Sequence, residues 1–217
     1  MRRLGSAIVV FAALLTLGVG TGSASAIEYV HLDANGELLA AGAPFLATST
    51  NLEMSFNSKQ HTTLACTRTA IGGAIALNGK TKATATLPEA ETSFSGGDPE
   101  NEARCRGGFV TTGVFLKGLN VTTTGKVEFK EALFELEPES PHKADEGRCK
   151  LKLAAIKGTF PVSLEEPGVP FTITVSGARL RVLANSGKEC GTAATLNMTL
   201  ETSSAGSPIL ADVLTKP

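Results

Sequence analysis

Tryptophan is absent from the 217 residues, tyrosine occurs once, at Tyr29, and aromatic side chains make up only 5% of the chain. Sugar rings and nucleobases bind by stacking on flat aromatic faces, so this shortage weakens both as ligands. Charge of either sign is also in short supply: 20 Lys and Arg stand against 21 Asp and Glu, with no basic run. A nucleic-acid or anionic-membrane surface has no electrostatic support from such a balance. The three histidines, His31, His61 and His142, lie in separate segments without the spacing of a zinc pair. No Ser sits in a Gly-x-Ser-x-Gly elbow, so a hydrolase triad has no anchor. No cofactor or metal site is expected from these residues.

The first 26 residues carry Arg2 and Arg3, an apolar run from Ala7 to Val19 and the small residues Ala24-Ser25-Ala26. That three-part layout reads as a secretory signal peptide cleaved after Ala26, and the apolar run is short of the ~20 residues that span a bilayer. Cleavage leaves 217 − 26 = 191 residues with 18 basic and 21 acidic side chains, enough chain to bury a sizeable core. The mature protein is expected to be secreted or associated with the cell envelope.

The four cysteines form two similarly spaced pairs, with 105 − 66 = 39 positions between Cys66 and Cys105 and 190 − 149 = 41 between Cys149 and Cys190. An even count in an exported chain implies disulfides, and four cysteines allow three connectivities. The preferred one joins Cys66 to Cys105 and Cys149 to Cys190, because a repeated unit most simply carries its own bridge. The offsets of 83 and 85 between the pairs suggest such a repeat, with sub-units 27–125 and 126–217. Thr62 to Leu87 would then match Cys149 to Val175, each with a cysteine-bearing strand followed by a glycine-containing one, at Gly73 and Gly158. The cations beside Cys105 (Arg104, Arg106) and Cys149 (Arg148, Lys150) would point away from inward, bridged sulfurs, because neighbours on a strand face opposite sides.

Most of the remaining chain reads as short strands. Glu28 to Leu32 and Glu37 to Ala40 flank the turn Asp33-Ala34-Asn35-Gly36 as a hairpin. Asp33, Asn35 and Glu37 resemble the opening of a calcium loop, but glycine comes too early and no acidic residue closes it. Strands follow over Leu46 to Phe56, Thr62 to Thr67, Ile71 to Leu77, Thr81 to Leu87, Gly108 to Leu116 and Leu119 to Thr124. Lys126 to Leu136 fits helical spacing as well, but a one-residue bulge near Lys130 aligns Val127, Phe129, Ala132, Phe134 and Leu136 on one strand face. Arg148 to Ala154, Ile156 to Ser163, Phe171 to Val175, Ala178 to Ala184, Ala193 to Thr202 and Pro208 to Val213 complete the series. The expected fold is all-β, an antiparallel β-sandwich or barrel-like pair of sheets.

Two long loops, 88–104 and 137–147, interrupt the strands and offer a surface for a protein or envelope partner. They also hold paired carboxylates, Asp98 with Glu100 and Asp145 with Glu146, which a secreted hydrolase would use if they converged. Thr84 with Thr86, Thr122 with Thr124 and Thr172 with Thr174 suggest the threonine arrays of ice-binding solenoids, but lack a solenoid period. Asn120-Val121-Thr122 and Asn197-Met198-Thr199 fit the N-glycan acceptor pattern.

The run Asn35-Gly36-Glu37-Leu38-Leu39-Ala40-Ala41-Gly42, then Ser49-Thr50-Asn51-Leu52 and Thr63-Leu64-Ala65-Cys66, resembles a large group of secreted bacterial proteins with strand-borne cysteines. The resemblance continues through Cys149 and Gly158 to Cys190. It departs at Phe94-Ser95-Gly96-Gly97, where that group has a Phe-x-Gly-Cys step. The resemblance implies an exported all-β protein and carries over no functional residue. The expectation is a non-catalytic binding or structural module.

Overall fold

The computed structural model describes residues 27–58, 62–88, 92–96, 105–107, 109–138, 149–163, 168–184, 186 and 190–216. Among them every regular element of any length is a strand, and every pairing is antiparallel. In chain order the strands are β1 (Ile27–Ala34), β2 (Glu37–Leu38), β3 (Pro44–Ser49), β4 (Leu52–Phe56), β5 (Thr63–Cys66) and β6 (Arg68–Leu77). Next come β7 (Lys82–Thr86), β8 (Thr92–Ser95), β9 (Phe109–Phe115), β10 (Gly118–Thr122), β11 (Lys126–Pro138) and β12 (Cys149–Thr159). The last are β13 (Val169–Pro170), β14 (Ile173–Val182), β15 (Ala193–Ser204), β16 (Ser207–Pro208) and β17 (Leu210–Lys216).

The larger sheet closes on itself. Its order β14-β12-β11-β10-β7-β6-β3-β15 returns to the start because β15 pairs β14 as well as β3. Closure leaves these eight strands without a free edge, which is how a β protein avoids edge-to-edge association. The alternation in the sequence drives it: on β15 Ala194, Leu196, Met198 and Leu200 are buried, whereas Thr195 faces solvent. Phe45, Phe129, Phe134 and Phe171 are fully buried, with Phe94 stacked on Phe134 and Phe160 edge-on to Phe171. Large side chains therefore fill the interior.

Three ring strands change partners midway. β6 pairs β8 through residues 68–71 and β7 through 74–77, β11 pairs β10 through 127–130 and β9 through 133–138, and β15 pairs β4 through 194–197 and β3 through 201–203. On β11 the inward set shifts from Val127 and Phe129 to Ala132, Phe134 and Leu136, with Glu131 at φ 46° between them. The bulge expected near Lys130 is not an inserted residue: the β11–β12 register runs unbroken through that point, the irregularity of β11 falls against β9 between Glu135 and Leu136, and at Glu131 only the phase changes. Opposite it β12 changes phase too, from Cys149 and Leu151 to Ile156 and Gly158.

Several boundaries differ from the sequence reading. The expected strand from Leu46 to Phe56 breaks at residues 50–51, where Ser49 Oγ donates to Asn51 Oδ1 and accepts the Asn51 N–H. This local side-chain bonding replaces ladder bonds with a turn. Two expected pairs of strands are instead single ones: β12, whose register with β11 runs unbroken past Ala154 and Ala155, and β14, where an irregularity between Val175 and Ala178 continues the ladder without breaking it. Gly73 lies on the strand after Cys66, whereas Gly158 shares β12 with Cys149, so the two segments differ in that respect. β8 lies within what reads as the loop 88–104. The signal-peptide residues 1–26 and most of the two long loops lie outside the described residues.

The smaller sheet, β13-β17-β1-β2, sits at the barrel end that carries the β6–β7 turn. Asn78 fastens it there: its Oδ1 accepts the N–H of Leu32 and of Gly79, and its Nδ2 donates to the carbonyls of Leu32 and Leu39. Val30, Leu32, Ile209 and Ala211 bury their side chains in the same core as the barrel.

Candidate functional site

Because β6, β12 and β15 run in one direction around the antiparallel ring, their N-terminal ends share the barrel end opposite the small sheet. Both disulfides are there. Cys66 of β5 bridges Cys105, and Cys149, the first residue of β12, bridges Cys190 just before β15, the pairing preferred from the spacing. All four sulfur-bearing residues are buried, while Arg106 is exposed and Lys150 reaches outward to Glu135 at 2.7 Å. Further bonds stiffen the same end. Asn57 Oδ1 accepts the N–H groups of Thr192 and Ala193, Ser186 Oγ accepts the Lys150 N–H, and Ala65 and Arg106 exchange backbone bonds.

The chain leaves and rejoins the described structure for both long loops at this end. Gly96 accepts the Thr67 N–H beside the start of β6, Cys105 is bridged to β5, and Pro138 and Cys149 bound the second loop at the β11–β12 turn. The carboxylates read as hydrolase candidates, Asp98, Glu100, Asp145 and Glu146, lie outside the described residues, as do His61 and His142.

On the barrel wall, a groove of about 490 Å³ lies at the β11 phase change, lined by Leu87, Phe115, Leu116, Leu133 and Leu183, with Lys117, Glu131 and Lys152 at its margin. Glu131 makes an ion pair with Lys117, whose ammonium, with Lys152 adding less, holds the carboxyl below the usual glutamate range. A non-glycine residue with positive φ is uncommon in a strand and marks a place worth chemical attention. No local sequence pattern marks this groove, since its walls come from β9, β11, β12 and the end of β14. A second groove, of about 460 Å³, is lined by Thr122, Lys126, Glu128, Lys157, Thr159 and Thr174 among others.

The outer face of the small sheet gathers Tyr29, His31 and Asp33 of β1 against Leu214, Asp212 and Leu210 of β17. Burial, and then the negative charge of Asp212, push the Asp33 carboxyl above the usual aspartate range. The Gly36 N–H and His31 oppose that shift. Asn35 donates to Ser207 and the hairpin turns at Asn35 and Gly36, both at positive φ. Among the described residues no group of His, Cys, Asp and Glu converges as a metal site.

The paired threonines do not form one array. Thr84 and Thr86 lie on β7, Thr122 shares a 3.0 Å hydrogen bond with Thr124 in the β10–β11 turn, and Thr174 stands between Thr159 and Thr199. Of the glycan-pattern asparagines, Asn120 is half-buried on β10, and Asn197 on β15 accepts the Gly177 N–H. Among the described residues no helix is long and apolar enough to cross a membrane. No protein-family model matches the chain, and no curated protein or solved structure matches it either.

Proposed function

We propose that the chain is an exported, non-catalytic binding module that meets its partner at or outside the cell envelope through loops 88–104 and 137–147. The observation that carries this reading is the shared origin of the two loops at the barrel end held by both disulfides. A rigid scaffold presenting loops from one end is the usual arrangement of a recognition surface, because the loops vary while the scaffold fixes their roots. Bridges of this kind suit an oxidising compartment, in agreement with the signal-peptide pattern at the N-terminus. The core is filled by side chains, which directs recognition to the outside.

The test uses cells exporting the full chain with a photo-crosslinking residue at Glu100, at His142 or, as the control, at Glu37 of the small sheet. Discrete adducts from Glu100 and His142, absent from Glu37, are expected. Adducts from Glu37 alone, or from all three alike, would move the partner surface elsewhere. Turnover of an ester, glycoside or peptide substrate that is abolished by neutralising Asp98, Glu100, Asp145 and Glu146 would replace the reading with a secreted hydrolase.

A further inference from the structure

The groove beside Glu131 continues into a row of cross-strand neighbours with an unusual order of chemistry. Phe115 of β9 stands opposite Leu133 of β11, Leu133 opposite Lys152 of β12, and Lys152 opposite Arg181 of β14. The first two are half-buried and the last two exposed, so the row runs from apolar to cationic across four adjacent strands, about 15 Å at ordinary strand spacing. Like charges directly opposite each other in a sheet repel and cost stability. In the next row Glu135 neutralises Lys150 with a 2.7 Å ion pair, and at the groove margin Glu131 pairs with Lys117. Lys152 lines the groove together with Leu133 and Leu183, and Arg181, its cross-strand partner on β14, stands next to it just outside the lining.

We infer that this groove binds a single-chain amphiphile with an anionic head, such as a free long-chain carboxylate. The chain lies over Phe115, Leu133 and Leu183, and the head sits between Lys152 and Arg181, relieving their repulsion. The volume of about 490 Å³ suits one such chain and is in the range of small-ligand sites. Glu131 pairs with Lys117 and feels Lys152 only from farther off, so most of the cationic surplus stays at the Lys152 and Arg181 end and gives the ligand one orientation. This site is on the barrel wall, three residues along β12 from Cys149 at the root of the second loop, and its ligand test does not depend on the proposal made for those loops.

Calorimetric titration of the oxidised mature chain with monomeric dodecanoate tests it, against dodecyltrimethylammonium as the head-group control. One dodecanoate per chain is expected, with little binding of the cation. Lys152→Glu and Arg181→Glu should each weaken binding by about tenfold or more. Leu133→Asn, at a half-buried outward position that leaves the core intact, should abolish it, while Lys152→Arg should retain it. Equal binding of both head groups, no binding, or indifference to Lys152→Glu and Leu133→Asn would overturn the inference. So would co-sedimentation with anionic phospholipid vesicles by a chain that ignores monomeric dodecanoate, since the face would then serve a membrane surface.

Discussion

The two halves of the ring use the same strand order with different materials. The first half contributes β3, β6, β7 and β10, of 6, 10, 5 and 5 residues; the second contributes β11, β12, β14 and β15, of 13, 11, 10 and 12. In the second half a bridge ties the beginning of β12 to the approach to β15, and in the first it ties the end of β5, just before β6, to Cys105 ahead of β9. In each, a glycine on the second strand lies against a backbone carbonyl of the third. The long strands survive where a residue accepts a change of phase, as Glu131 and Gly177 do at positive φ. The chain breaks where side chains supply a turn instead, as at Ser49 and Asn51, and short β4, β5, β8 and β9 then fill the remaining height. The contrast shows that a barrel wall of one height can be built from bulged strands or from shorter pieces, and that the choice is local.

The largest test of this comparison removes the bridges one at a time. Their loops, 39 and 41 residues, are so close that the unfolded-chain term is about 4 kcal/mol for either, and a difference between variants reports the native surroundings. Each paired Cys→Ala variant should lose roughly 8–16 °C in Tm. The Cys66 and Cys105 variant should also expose residues 105–107 to protease. That segment is otherwise held by the backbone bonds of Arg106 to Ala65, whereas Cys149 begins a strand paired to β11 along its length. Equal protease resistance in both variants would contradict the idea that the first half depends more on its bridge.

A smaller effect comes from the matched glycines. A Cβ on Gly158 would stand 2.7 Å from Thr174 O, and one on Gly73 would come closer still to Thr86 O and also meet Leu87. Backbone carbonyls in a ladder yield only by parting the strands. Gly73→Ala and Gly158→Ala should each cost about 1–3 kcal/mol by denaturant titration, with Gly73→Ala the more damaging. If Gly158→Ala is the worse, the shorter strands of the first half are the more compliant, reversing the expected order.

Much of this architecture is legible in the residues. Alternation at Thr195 to Leu200 identifies β15, Asn35-Gly36 identifies the first hairpin, and the broken period at Lys130, read in sequence as a conflict between helix and strand, is the phase change at Glu131. β8 escapes because Thr-Ser-Phe-Ser has a single large apolar residue, Phe94, amid residues that also favour loops. The fusion of β12 escapes because Ala154 and Ala155 carry the phase change without any turn residue. The wall groove was not legible at all. Phe115, Leu133, Lys152 and Arg181 are far apart in sequence, and only the cross-strand register sets them side by side. The loop carboxylates were visible as residues but carry no spatial pattern until the roots of their loops are placed.

The smallest test concerns the small sheet, where the chain's first and last described strands meet and each brings an aspartate. Asp33 from β1 is pushed upward in pKa by burial and then by Asp212 of β17, with His31 and the Gly36 N–H opposing. A carboxyl whose folded pKa lies above its unfolded value adds stability that is fully present below the unfolded value, 3.8, and is lost as pH rises through the folded one. Asp33→Asn retains an oxygen to accept the Gly36 N–H but removes the charge. Its Tm advantage over the native chain should therefore be larger at neutral pH than at pH 3, and small at both because the site is only partly buried. Asp212→Asn should shrink that advantage, since the native Asp33 would then lose the neighbour that opposes its ionisation. An advantage that is flat with pH, or unchanged in the Asp212→Asn background, would mean that the seam between the two ends of the chain carries no electrostatic strain.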